Sequence, residues 1–302
     1  MALIAGPTAS GKSALALRLA EATGGAVINA DSAQVYRDIP ILSAAPSSED
    51  LSKVEHHLYG LMDGAQPCST ADWASMARTL IERIHGQGRL PILVGGTGLY
   101  LRTLLDGIAP VPEIDPEIRK NVRGTGVAEN LAALAVLDPV AAATLNPGDT
   151  TRVARALEVV QSTGKTLKEW QQKREGGIGE TVDLQALLLL PPRHWLCERC
   201  DRRFAEMVGR GALAGVEVLL SRNLDPALPV MRAIGVPELA AQLRGETSRE
   251  ESIAAGQQAT RRYAKRQYTW FSHQPPPDWL RFQEPLEDQA IERALALFAT
   301  AG

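Results

Sequence analysis

The chain has 302 residues, 45% of them hydrophobic, and a formal net charge of −3, so it can bury a sizeable core and shows no global positive field of the kind that advertises nucleic acid. Any nucleic-acid surface must be a local patch. No apolar run reaches the roughly 20 residues a bilayer-spanning helix needs, and the first residues enter a strand pattern without a charged leader, so a cytoplasmic protein with no membrane partner is expected.

The first hundred residues alternate between strand and helix patterns: ALIA (2–5), a helix over 12–22, AVINA (26–30), a helix over about 71–85, and PILVG (91–95). Such alternation predicts an α/β fold with a parallel sheet flanked by helices. From Ile108 the texture changes to a Pro-rich link, IAPVPEIDP, followed by helical patterns as far as Arg174 and a GGIG break at 176–179. LQALLLLPP then reads as a buried strand that returns the chain to the sheet. The expected organisation is a P-loop NTPase-like α/β core over 1–109 and 180–302, with a small all-helical domain inserted at 110–179. Residues 194–271 are again helical in pattern, QPPPDW (274–279) interrupts them, and a last helix begins near Leu286. Within this region Cys197 and Cys200 form a CxxC. With no second ligand pair and no thioredoxin-like setting, the spacing reads as two sulfurs at i, i+3 of one helix.

GPTASGKS (6–13) matches GxxxxGK[ST] between a strand and a helix, the setting the motif requires. Gly6, Pro7, Thr8, Ala9, Ser10, Gly11, Lys12 and Ser13 are therefore expected to bind a phosphate anion. The loop amides would cradle it, Lys12 would reach its outer phosphate, and the Ser13 hydroxyl would hold Mg²⁺. A standard P-loop NTPase adds a carboxylate at the end of a neighbouring strand. PILVG ends instead in GTGLY, and the acidic residue follows AVINA, at Asp31. There, at the carboxyl edge of the sheet where α/β folds bind ligands, a lone carboxylate could hold Mg²⁺, act as a general base, or cap a helix. Ser32 reads as a cap.

GPTASGKS, DSAQVYR (31–37), GRLPILVGGTGLYLRTLLDG (88–107) and TRRYAKRQYTWF (260–271) together resemble the tRNA dimethylallyltransferase family, in order and spacing and over nearly the whole chain. The resemblance implies transfer of a dimethylallyl group from its diphosphate to N6 of the adenosine at tRNA position 37, beside the anticodon, by a protein expected to act as a monomer. The loop's anion would then be the isoprenoid diphosphate. An adenine amino group is a poor nucleophile, so the enzyme must stabilise a leaving anion and remove one proton. Lys12, Ser13 with Mg²⁺ and the loop amides serve the first need, and Asp31 the second. By the same likeness Thr97 contacts the reacting region and Arg203 clamps the diphosphate; read without it, they are a turn hydroxyl and an exposed helix arginine.

On the RNA side, Arg261, Arg262, Lys265 and Arg266 make one basic helix face with interleaved aromatics, and Gln267 belongs to the same stretch. Such a face would grip phosphates of the tRNA anticodon stem-loop without reading sequence. Arg152 and Arg155 in TTRVARALEV, with Arg119 at the entrance to the insertion, would grip from the other side. Ser32, Ala33 and Gln34 would meet the splayed base, Gln34 offering its edge a donor and an acceptor. Arg232 and Gly235 in MRAIGVPEL resemble a family segment near the tRNA. The sequence departs from the family form at Val236 and Pro237, where a tyrosine and a basic residue are common. It departs also at Leu42, Ser43 and Ala45, in place of a Gly-Thr-Ala-Lys-Pro run. His56 and His57 read as ordinary structural histidines rather than metal ligands. Two rivals remain at this level: a small-molecule or nucleoside kinase sharing the P-loop half, and a non-catalytic RNA-binding protein with a relic loop.

Overall fold

The structure, a computed structural model, describes residues 1–299. Along the chain run β1 (Ala2–Ala5), α1 (Lys12–Thr23), β2 (Ala26–Asn29), α2 (Ser48–Lys53), β3 (His56–His57), α3 (Thr70–Gly86), β4 (Pro91–Gly95) and α4 (Gly98–Asp106). Then come α5 (Pro116–Gly124), α6 (Val127–Leu137), α7 (Pro139–Thr144), α8 (Thr150–Thr163) and α9 (Leu167–Gln171). The chain returns through β5 (Gln185–Leu189), α10 (Arg193–Gly209), α11 (Ala212–Ser221), a 3₁₀ turn (Pro229–Arg232), α12 (Val236–Leu243), α13 (Arg249–His273), β6 (Leu280–Phe282) and α14 (Asp288–Ala299).

The strands form one parallel sheet in the order β3-β2-β4-β1-β5-β6. The central strands ALIA, PILVG and the LLL of β5 are apolar on both faces because helices cover both. In register, Ile4 stands beside Val94 on one side and Leu187 on the other. Leu15 and Leu19 of α1 and Ala290 and Ala294 of α14 pack with Ile4, Val94 and Leu187 into one continuous core. Two short edge strands, β3 and β6, lie outside the expected elements. Their two and three residues carry too little alternation to declare a strand. His56 and His57 thus belong to the sheet, with His57 paired to Glu55 at 2.8 Å.

By contact the chain separates into two compact units, 1–104 with 179–302, and 105–178. The second is all-helical around its own core of Val122, Leu134, Val153, Leu157 and Val160. Its incoming and outgoing segments meet in a bridge between Ile108 and Glu175, which exchange two backbone hydrogen bonds of 3.0 Å.

Candidate functional site

Because β4 lies between β1 and β2, the carboxyl ends of these three strands bring the phosphate loop, Asp31 and the GGTG turn to one edge of the sheet, at its crossover point. The loop is held in an unusual backbone. Gly11 is left-handed (φ 98°), and so is Ala9 (φ 63°), a conformation that costs a non-glycine residue about 1 kcal/mol. Ala9 is kept there by packing against Leu196, Cys200 and Ala264. No side chain caps α1, so its leading N–H groups open toward whatever occupies the loop. The Ser10 hydroxyl is buried with no hydrogen-bond partner. Lys12 Nζ donates to the Pro7 carbonyl at 2.7 Å, and burial pulls its pKa down to about 8 against the attraction of Asp31.

Two cavities meet here. A cradle of about 240 Å³ is lined by Gly11, Lys12, Ser13, Asp31, Arg199 and Arg203 among others. A second cavity of about 330 Å³ is walled largely by Ile39, Leu42, Phe204, Met207, Ile234 and Tyr263. Thr8, Asp31, Ser43 and Arg203 line both.

Asp31 is fixed from behind. Fully buried Asn29 accepts the Asp31 N–H at 2.8 Å and donates to the Asp31 and Leu58 carbonyls at 3.0 Å. Asp31 Oδ1 accepts the Ala33 N–H at 3.0 Å, closing a turn, so the segment after β2 is not a helix and neither Asp31 nor Ser32 caps one. The short polar residues here satisfy the backbone locally instead. Ser32 donates its N–H to Thr97 Oγ1 at 3.0 Å. Thr97 lines neither cavity; its hydroxyl ties the Asp31 turn to the GGTG turn and meets the Tyr263 phenol, whose pKa burial raises. Arg203 is no exposed helix arginine. Its Nη2 donates to Thr8 Oγ1, and burial lowers its pKa. Gln34 lies in the same turn and spends both amide protons on the Ser43 and Ala44 carbonyls, at 3.0 and 2.9 Å. It pins the 40–46 loop, leaving only its oxygen for a base edge. Ala33 and Ser32 line the larger cavity, and Ala45 stands where the family form carries a lysine.

The basic stretch on α13 divides. Arg262, Lys265 and Arg266 are exposed, with Arg266 also reaching the larger cavity. Arg261 is ion-paired with Asp201 at 2.5 Å. Gln267 does not face outward at all: at 6% exposure its Oε1 accepts the Thr8 N–H and its Nε2 donates to the Gly96 carbonyl, each at 2.7 Å. Three residues from Ala264, four from Phe271 and seven from Thr260, it must share their buried face. Gly235 is likewise buried, left-handed (φ 95°), and a Cβ there would come within 2.6 Å of Leu42. It serves packing rather than a surface, whereas Arg232 is exposed at the rim of the larger cavity. Val236 is buried in α12 and Pro237 sits in its first turn, where proline is favoured.

In the helical unit Arg119 and Arg152 are exposed, the latter 3.4 Å from Asp149. Arg155 is half-buried, its pKa lowered by burial and partly restored by Glu158, which also holds Arg123 at 2.8 Å. Cys197 and Cys200 both lie on α10, and burial pushes the Cys200 thiol up to about 11. Among the described residues no group of three His, Cys, Asp or Glu side chains could hold a metal, and no helix is long and apolar enough to cross a membrane. Sequence reasoning missed Asn29, Arg199 and Tyr263 in these roles. Only the positions of Arg199 and Tyr263 on the inward stripes of α10 and α13 could have signalled them.

The IPP transferase family model matches residues 34–274. The tRNA dimethylallyltransferase of Sphingopyxis alaskensis is 62% identical over 97% of this chain and 96% of its own length. That of Erythrobacter litoralis is 60% identical over 94% and 91%. Among solved structures, the tRNA isopentenylpyrophosphate transferase of Bacillus halodurans superposes with a TM-score of 0.71 at 32% identity, over 99% of this chain and 95% of that one. A eukaryotic dimethylallyltransferase, described as acting on tRNA, gives 0.78 at 30% identity over 90% of this chain and 69% of that one. With the phosphate loop, the Asp31 turn and the GGTG turn gathered at one sheet edge, and likeness running end to end, the chain belongs to the IPP transferase family, that of the tRNA dimethylallyltransferases.

Proposed function

We propose that this protein transfers the dimethylallyl group of dimethylallyl diphosphate to N6 of adenosine 37 in tRNA. The observation that carries the reading is that Asp31 lines both cavities at once, with Thr8 and Arg203 beside it. A carboxylate placed between a cationic cradle and a mostly apolar chamber suits a reaction in which an anion leaves on one side and a proton on the other. The diphosphate occupies the loop, held by its amides, Lys12 and Arg203. The allyl group and the extruded adenine share the larger cavity. N6 attacks the allylic carbon, the C–O bond to the diphosphate breaks with its electron pair kept by oxygen, and the N6 proton passes to Asp31. Arg203 and Lys12 meet the charge that appears on the departing oxygen.

The Ser13 hydroxyl, which lines the cradle, fits Mg²⁺, which takes few protein ligands and keeps waters and phosphate oxygens. When bound, the ion would add Lewis-acid stabilisation to the leaving group. Thr97 and Asn29 act through the Asp31 turn as positioning residues. Exposed Arg262, Lys265 and Arg266, with Arg232 at the rim and Arg119, Arg152 and Arg155 on the helical unit, grip the anticodon stem-loop, and the protein works in the cytoplasm as a monomer.

The test is to incubate protein and Mg²⁺ with unmodified tRNA and labelled dimethylallyl diphosphate, beside an arm with labelled ATP and no isoprenoid. Label reaching the adenosine beside the anticodon, with ATP inert, is the expected result. Phosphoryl transfer from ATP without prenylated tRNA would promote a kinase instead.

A further inference from the structure

Lys12 and Arg203 are the cations sequence patterns point to, yet a third faces the same cradle. Arg199 lines it together with Lys12, Ser13, Asp31 and Arg203. It lies one helical turn before Arg203 on α10, so the two guanidiniums share a face at i, i+4. Like charges at that spacing repel each other, a cost that an anion between them removes. Neighbouring arginines have protein partners: Arg202 approaches Glu206 at 3.9 Å and Arg261 holds Asp201 at 2.5 Å. Arg199 is ion-paired to no carboxylate among the described residues, and rests over the Trp195 ring at 4.6 Å. The ring fixes the guanidinium's place without neutralising it. Burial, and then the charge of Arg202, lowers its pKa against the pull of Glu287 and Glu206, neither of which is ion-paired to it.

We infer that Arg199 is a second guanidinium clamp on the diphosphate, engaging it more strongly after the allylic C–O bond breaks than before. The inference rests on the reading of the loop as the donor site. When that bond breaks, its electron pair stays on the bridging oxygen and the diphosphate gains a negative charge. Three cations against the single carboxylate of Asp31 favour that more highly charged anion, which is how a site lowers a barrier rather than only binding its substrate.

The experiment measures binding of inorganic diphosphate by calorimetry, without tRNA, to the wild type, Arg199→Gln and Arg199→Lys, and then steady-state transfer from dimethylallyl diphosphate. Arg199→Gln should weaken diphosphate roughly 10- to 100-fold, the loss expected for one charge-assisted hydrogen-bonding partner. It should lower kcat more than it raises KM for the donor and leave tRNA affinity unchanged, while Arg199→Lys recovers part of both losses. Unchanged diphosphate affinity in Arg199→Gln, with the chain folded, would overturn the inference. So would equal losses in the glutamine and lysine variants accompanied by a lowered melting temperature, which would make Arg199 a packing residue on Trp195. If the glutamine variant loses diphosphate while the wild type fails to prenylate tRNA, Arg199 stands as a diphosphate ligand and the transferase reading falls.

Discussion

Gln267 offers the sharpest separation between a motif and its geometry. It sits in a basic stretch, yet its amide bridges the phosphate loop and the GGTG turn by two bonds of 2.7 Å. Gln267→Ala strands the Thr8 N–H and the Gly96 carbonyl in a buried place. An unsatisfied buried group costs about 1–3 kcal/mol, so the pair should cost about 2–6 kcal/mol. For a chain of this size that is a fall in melting temperature of about 4–12 °C. Because Thr8 also receives Arg203, KM for the isoprenoid donor should rise as well. tRNA affinity, measured by filter binding below the transition, should stay at the wild-type value. A variant that melts like the wild type and loses tRNA affinity would refute the reasoning and return Gln267 to the RNA surface.

Asp31→Asn keeps the turn acceptor for the Ala33 N–H while removing the base, so kcat should fall roughly 10²- to 10⁴-fold with tRNA binding intact; a fall below tenfold in single-turnover rates would count against the assignment. The folded pKa of Lys12, about 8, lies below its unfolded value, so charging it in the fold costs stability, a cost relieved as pH rises from about 8 into the unfolded lysine range. A bound diphosphate favours the ammonium, so donor KM should climb above about pH 8 in the wild type and stay flat in Lys12→Arg, as steady-state profiles would show. Arg262→Ala, Lys265→Ala and Arg266→Ala should each reduce the salt dependence of tRNA binding by about one phosphate contact, whereas Arg261→Ala, whose charge is already paired, should change it little. A Cβ on Gly256 would fall 2.0 Å from the Phe204 ring, so Gly256→Ala should cost about 1–3 kcal/mol in urea unfolding and slow transfer by moving a wall of the larger cavity.

The elements legible in the sequence are those whose physics is local. The phosphate loop needs glycines where φ is positive and a lysine at the head of a helix. The strands beside it are apolar on both faces, so β1, β4 and β5 declare themselves without partners in view. β3 and β6 are edge strands of two and three residues, defined by the neighbours they pair with, and nothing in HH or LRF announces them. At the site, Asp31 was visible because it follows a strand. Asn29, which holds it, was not, because a polar residue inside a strand reads as a defect until Leu58 and Asp31 are seen to satisfy its side chain. The cap that Ser32 suggests proves to be a turn residue for a related reason. Asp and Ser favour caps and turns through the same hydrogen bond, and only the tertiary partner, Thr97, decides between them.

Helix α13 shows why one motif held several functions. Gly256, Thr260, Ala264, Gln267 and Phe271 are buried, while Arg262, Lys265 and Arg266 are exposed, as a 3.6-residue repeat requires of one helix between core and solvent. On the buried side, Gly256 makes room for Phe204 at the larger cavity and Gln267 props the phosphate loop. Thr260 and Tyr263 line the larger cavity itself. On the exposed side the free cations face outward. Under the proposed reading, a single helix therefore carries groups for the donor anion, the acceptor pocket and the RNA backbone, and its rotation about its own axis would disturb all three together. A basic stretch assigned wholesale to RNA overlooks that every third or fourth residue of it must belong to the core.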